Sequence, residues 1–108
     1  MKMPGVNKSQ PAFMYGHGAK TCAQFTEQYA VEREMTSVFN YCWFQGFLTS
    51  FDVDRNSRGQ RPLNYEATPL QIVEDQGFLR LYCEEHPSEL FIQAVLKLIN
   101  TRMKERGL

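Results

Sequence analysis

The chain has 108 residues, enough for one domain of ordinary size. Twelve Lys and Arg balance twelve Asp and Glu, so the formal net charge is zero, whereas a nucleic-acid binder draws most of its affinity from a basic stripe. Hydrophobic residues at 43%, with eight Phe, five Tyr and one Trp, exclude a disordered chain, and no apolar run approaches the length that crosses a membrane.

Residues 1–20 carry Pro4, Gly5, Pro11, Gly16 and Gly18 among polar residues and read as an irregular lead-in, with a short extended piece expected at Ala12 to Tyr15. Lys2, Lys8 and Lys20 are present, but the apolar core of a signal peptide is not visible. The first helix is predicted from Thr21, because Thr21 and Gln24 have capping-box spacing, to about Glu32–Glu34. Cys22, Phe25 and Tyr29 share one of its faces.

A second helix is predicted over Met35–Phe51. Met35, Val38, Phe39, Cys42, Trp43, Gly46 and Phe47 recur at helical spacing and read as the buried face, with Cys42 as a small buried hydrophobe. Gly46 inside a helix costs about 1 kcal/mol against Ala and points to a second backbone packed closely there. Tyr41, Phe44 and Leu48 make another apolar stripe. Either this helix is central and buried nearly all round, or Trp43, Phe44 and Phe47 belong to an exposed aromatic patch that meets a partner.

Asp52–Ala67 reads as a long polar connection in which Arg55, Arg58 and Arg61 are solvated. It opens like a calcium loop at Asp52-Val53-Asp54-Arg55-Asn56, but Ser57 stands where glycine is required and Leu63 where glutamate is, so calcium is rejected. The third helix opens with the capping box Thr68–Gln71 and Pro69 in its first turn, carries Leu70, Val73, Phe78, Leu81 and Tyr82 toward Cys83, and stops at His86-Pro87. The fourth is predicted from Pro87 or Ser88 to about Lys104, with Phe91, Ala94, Val95, Leu98 and Ile99 as its apolar stripe. Arg102, Lys104 and Arg106 then complement the helix dipole at its end. The fold class is all-α: a small four-helix bundle over 21–108 behind the irregular segment 1–20.

Three cysteines allow buried thiols, a disulfide with one thiol left over, or metal ligands. Cys22 opens the first helix and Cys83 ends the third, so a bridge between them would close a loop of about sixty residues and constrain the unfolded chain by about 4 kcal/mol. The competing idea is a zinc site of Cys22, Cys83, His17 and His86, although the His17 spacing is not that of a zinc finger. Cys83 with His86 is the only local nucleophile–base pair, and no oxyanion-hole motif, phosphate loop or H-E-x-x-H accompanies it. Glu84 and Glu85, as neighbours on a helix, do not face each other. The expectation is a protein that is not an enzyme, with no metal and no cofactor.

Gly16-His17-Gly18-Ala19-Lys20-Thr21-Cys22-Ala23-Gln24-Phe25, Tyr41-Cys42-Trp43-Phe44-Gln45-Gly46-Phe47 and Leu81-Tyr82-Cys83-Glu84-Glu85-His86-Pro87 together resemble small exported bacterial proteins of the HdeA-like group. The resemblance implies a helical domain in which Cys22 of a T-C-x-x-F motif is bonded to Cys83. The neighbouring amidase-immunity (Rap/Tai-like) proteins of type VI secretion are similar in a C-x-x-x-G-(F/Y) helix, here Cys42 to Phe47, and in the helix-ending His86-Pro87. This chain lacks the second cysteine that those proteins would pair with Cys42. The resemblance implies a periplasmic or secreted stress or holding protein that binds unfolded clients, or alternatively an immunity protein that blocks a toxin such as a cell-wall amidase. The partners expected are therefore a protein or an unfolded client, with a second copy of the chain as a further candidate, and neither nucleic acid nor a membrane.

Overall fold

Two capping boxes fix where two of the helices begin. The computed structural model describes residues 16–108; the extended piece expected at Ala12 to Tyr15 lies outside them. In it Thr21 Oγ1 accepts from the Gln24 N–H at 3.1 Å while Gln24 Oε1 accepts from the Thr21 N–H at 2.9 Å, and α1 spans Cys22–Val31. Thr68 and Gln71 make the same reciprocal pair at 3.2 and 3.0 Å, with Pro69 as the first residue of α3, Pro69–Glu85. Each box satisfies two N–H groups that a helix start would leave without partners.

Between them lies α2, Arg33–Ser57, which begins after a single break at Glu32 and runs past the end expected at Phe51. Its stop is Gly59, whose φ of +71° suits glycine alone at low cost, followed by a Gln60 N–H donated to the Arg55 carbonyl at 2.9 Å. The polar residues Asp52 to Ser57, read as loop, are therefore helix, and the irregular connector is correspondingly shorter. A 3-10 turn, Gly16–Ala19, precedes α1.

The fourth helix, α4, spans Phe91–Glu105, and so starts after the expected Pro87 or Ser88. Residues 87–90 are used otherwise: the Cys22 N–H donates to Glu89 O at 2.7 Å, Ala23 N–H to Pro87 O at 3.0 Å, and Phe91 N–H to Lys20 O at 2.8 Å. This bridge between Thr21 and Leu90 ties the start of α1 to the start of α4. The predicted stripe of α4 is buried as expected, with Ile92 added to it. Together with Phe25, Tyr41, Phe44, Leu48, Leu63 and Leu79 it makes the core of an all-α bundle of four helices, cross-linked by one disulfide.

Two helices turn a different face inward from the one predicted. On α2 the buried residues are Thr36, Asn40, Tyr41, Phe44 and Leu48, whereas Met35, Val38, Phe39 and Cys42 are exposed. A Cβ at Gly46 would meet nothing within 4 Å, so no second backbone approaches it. On α3 Asp75, Leu79 and Cys83 are buried while Leu70, Val73 and Leu81 face out. Both sequences offer two overlapping apolar stripes, and in each the buried one carries residues of the common core, Tyr41, Phe44 and Leu48 on α2 and Leu79 and Cys83 on α3.

Candidate functional site

Cys22 and Cys83 are joined by a disulfide across Cα atoms 4.5 Å apart, spanning 61 residues of sequence. Both sulfurs are fully buried. The bridge takes up the two thiols that the zinc arrangement needed, and it removes Cys83 as a nucleophile. His86 stacks on Tyr82 with ring centroids 4.2 Å apart, and its Nδ1 lies 2.9 Å from the Tyr82 carbonyl. His17 instead lies over Phe39, 6.3 Å between centroids. Among the described residues no group of three His, Cys, Asp or Glu side chains could hold a metal ion.

The three aromatic residues expected at a partner surface divide. Phe44, 1% exposed, belongs to the core and presents nothing outward. Trp43 and Phe47 keep part of their surface and stack at 5.5 Å, with Trp43 edge-on to Phe91 at 6.1 Å. Cys42, expected to be buried, is exposed, because it lies on the side of α2 that turns away from α4.

A residue that the sequence reading missed organises the far end of the bundle. Asp75 on α3 is fully buried. Its Oδ1 accepts from Arg102 Nη2 at 2.6 Å and Nε at 3.2 Å, and its Oδ2 accepts from the hydroxyls of Tyr65 at 2.8 Å and Tyr41 at 3.4 Å. One carboxylate thus gathers α2, the connector, α3 and α4. Burial alone would lower the Arg102 pKa, but the Asp75 carboxylate outweighs it and holds the guanidinium charged. Burial first, then the hydrogen bond to Asp75, pushes the Tyr65 hydroxyl up to about 12; Tyr41 is raised further by burial and the same negative charge. The signal was present: Ile72, Asp75, Leu79 and Cys83 fall at i, i+3, i+7 and i+11, placing a carboxylate within an inward stripe.

The connector is fixed by the same kind of chemistry. Asp52 accepts from the N–H groups of Leu63 at 2.8 Å and Asn64 at 2.9 Å, holding Asn64 at a positive φ of 48°. Arg106 Nη1 donates to the Leu63 carbonyl at 2.9 Å, Arg55 Nε to the Arg61 carbonyl at 2.9 Å, and Arg61 Nη2 to the Arg106 carbonyl at 3.1 Å. Arg55 and Arg61, read as solvated, and Arg106, read as complementing the helix dipole, are the fasteners of this loop, whereas Arg58 stays exposed and pairs with Asp54 of α2. Above them lies a groove of about 620 Å³ lined by Tyr41, Leu48, Asp52, Asn64, Tyr65 and Glu66 among others.

A second groove of about 620 Å³ lies where α1 meets α2, with Lys20, Glu27, Val31, Met35, Phe39 and Asn40 in its lining. Val31, Met35, Val38 and Phe39 are half exposed or more, and make an apolar surface beside it. Asn40 Oδ1 and His17 Nδ1 are buried here without a hydrogen-bond partner. His17 is held below its ordinary pKa, first by burial and then by the charge of Lys20. No helix among the described residues is long and apolar enough to cross a membrane. Compared with known proteins, the chain matches no family model, no curated protein and no solved structure.

Proposed function

We propose that this is a non-enzymatic, exported, protein-binding domain of the HdeA-like holding kind, acting in the periplasm or outside the cell on unfolded or partly folded protein. The observation that carries the reading is a pairing of opposites. Large apolar side chains stand exposed at Val31, Met35, Val38 and Phe39 on one side and at Leu70, Val73 and Leu81 on another. The fold that displays them is closed at one end by a single buried carboxylate, Asp75. The charge on which Arg102 and two tyrosines converge is thus the point at which that end can be opened. His17 supplies an acid response: its folded pKa is depressed below 6.5, chiefly by burial, so the stability it contributes is present above pH 6.5 and lost as pH falls through the depressed value. Loosening at the Asp75 end would expose further core to a client, while the disulfide at the other end keeps the chain from dispersing.

The test is ANS fluorescence together with far-UV circular dichroism between roughly pH 2 and 7, followed by suppression of client aggregation over the same range. The expected result is a rise in dye signal at acid pH with helix content retained and aggregation suppressed. An unchanged dye signal with no protection of clients defeats this reading.

It would favour the second reading, an immunity protein or inhibitor that blocks a secreted toxin such as a cell-wall amidase with a fixed loop. The observation favouring that alternative is the connector itself, whose backbone is held by Asp52, Arg55 and Arg106 in one conformation.

A further inference from the structure

The outward side of α2 is unlike the rest of the surface. At 100° per residue Met35, Val38, Phe39, Cys42, Gly46, Thr49 and Val53 fall on one stripe along the helix, and all seven are exposed. From Met35 to Phe51 the helix carries no charged side chain, although charged residues make up 22% of the chain. Depletion of charge on an exposed apolar strip is the compositional mark of an interface centre. Two residues on the strip have no role within the fold. Cys42 is exposed and free, and Gly46 carries the helix penalty of glycine with open space around it.

We propose that this face seats a second copy of the chain, the two α2 helices crossing antiparallel about a two-fold axis at Cys42, so that the two Cys42 thiols meet and can be bridged. The strip is self-complementary in that register, because residue 42−n then faces residue 42+n. Val38 sits over the partner's Gly46, and Met35 against the partner's Thr49. Glycine beneath Val38 leaves room for that side chain, and a bridge with Cα atoms about 4.4–6.8 Å apart sets the helix axes about 9–11 Å apart, close to the ordinary packing distance of about 8–10 Å. Cys22 and Cys83 are already joined to each other, so Cys42 has no thiol partner in its own chain, and a second copy supplies one. Zero net charge sets up no repulsion between copies. A strip about 27 Å long and about 10 Å wide buries well under the roughly 800 Å² per partner of a standard interface. The face alone therefore makes a weak pair, and sulfur makes it lasting. In an oxidising medium the two thiols pass two electrons to oxidised glutathione. Its S–S bond breaks as the bond between the two Cys42 sulfurs forms, and the two thiol protons end on two molecules of reduced glutathione.

The experiment oxidises the full chain with a glutathione redox buffer and follows intact mass without reduction, mapping the linked peptides. The expected product has twice the chain mass, is linked through Cys42 with Cys22–Cys83 intact, and is lost in Cys42→Ser. Val38→Lys places a charge in the exposed strip without touching the core and should slow cross-linking about tenfold or more, while Val73→Lys, at a more exposed position on α3, leaves the rate unchanged. Three outcomes overturn the proposal: a glutathione adduct on Cys42 with no dimer, a dimer linked through Cys22 or Cys83, or cross-linking of the Val38→Lys protein as fast as wild type.

Discussion

The two ends of the bundle are closed by different physics. At one end the starts of α1 and α4 and the last turn of α3 meet around the Cys22–Cys83 bridge, with Phe25 stacked on Phe91 at 5.3 Å and Trp43 against the same ring. That end is dry, apolar and covalent. At the other, α2, the connector, α3 and α4 converge on Asp75, and Arg102, Arg106 and Asp52 do the fastening. A reductant should act on the first end and substitution of Asp75 on the second, so each can be broken while the other is watched.

The largest effect should come from the sulfur bridge. Replacing Cys22 and Cys83 together by Ser frees a loop of 61 residues and costs about 4 kcal/mol in the loop-entropy account. Against a total stability of about 5–15 kcal/mol this is much of the margin. A urea titration of the oxidised and the doubly substituted protein should show the midpoint fall sharply and the slope rise, because the uncrosslinked unfolded chain exposes more surface. Midpoints that coincide would mean that the apolar contacts alone hold that end closed.

Next in size is the loss of the buried charge. Asp75→Asn keeps the shape but leaves the Arg102 guanidinium, whose side chain is 14% exposed, with only the exposed Glu105 carboxylate as counter-charge, at a cost of about 2 kcal/mol. Trp43, the only tryptophan, stands at the opposite end and reports whether the molecule melts as one unit. If the ends are coupled, Trp43 fluorescence and the near-UV tyrosine signal of Asp75→Asn shift to the same lower midpoint. If tyrosine moves first, the Asp75 end opens alone, as the proposed holding function requires.

Alkali attacks that same end through its tyrosines. With Tyr65 raised to about 12 and Tyr41 higher, the folded chain keeps phenol protons that the unfolded chain releases near 10. Their stabilising contribution is complete below pH 10 and is lost as pH rises through the folded values. Tyr82, bonded to Glu89 at 2.8 Å and raised chiefly by burial to about 12, adds to the same window from the disulfide end. Stability should therefore decline steeply between pH 10 and 12, with the tyrosinate absorbance of these three rings rising only as the helix signal falls. A phenolate signal larger than the other two of the five tyrosines can give, appearing while the helices persist, would show that these hydroxyls reach solvent in the folded state.

The same division decides what the sequence made legible. Capping boxes at Thr21 and Thr68, the apolar stripe of α4 and the placing of Cys22 and Cys83 at helix ends are local signals, and the structure carries each of them. The inward face of α2 was misjudged because two apolar stripes compete there, and only the position of α4 decides between them. Asp75 was overlooked because its partners, Tyr41, Tyr65 and Arg102, lie on three other segments, and no spacing rule links residues so far apart in the chain. The stop of α2 was missed for a nearer reason: Gly59 reads equally as loop or as helix terminus, and the Gln60–Arg55 hydrogen bond that settles the matter is a feature of the folded backbone.

The smallest effects compare two glycines, one at each kind of site. A Cβ at Gly18 would overlap the Trp43 indole, which is itself wedged against Phe47 and Phe91, so Gly18→Ala should cost about 2 kcal/mol by overpacking the dry end. Gly46→Ala meets nothing within 4 Å and should stabilise the reduced monomer by about 1 kcal/mol through helix propensity alone. Urea midpoints under reducing conditions measure both and should move in opposite directions. The Gly46 substitution carries a further consequence, because the added methyl is harmless only while the α2 face stays in water. Against a second copy it would stand beneath Val38 and hold the helices apart, so a more stable monomer should also cross-link more slowly through Cys42. A gain in stability with no change in cross-linking would leave Gly46 without a purpose at that face and would return the register of the pair to question.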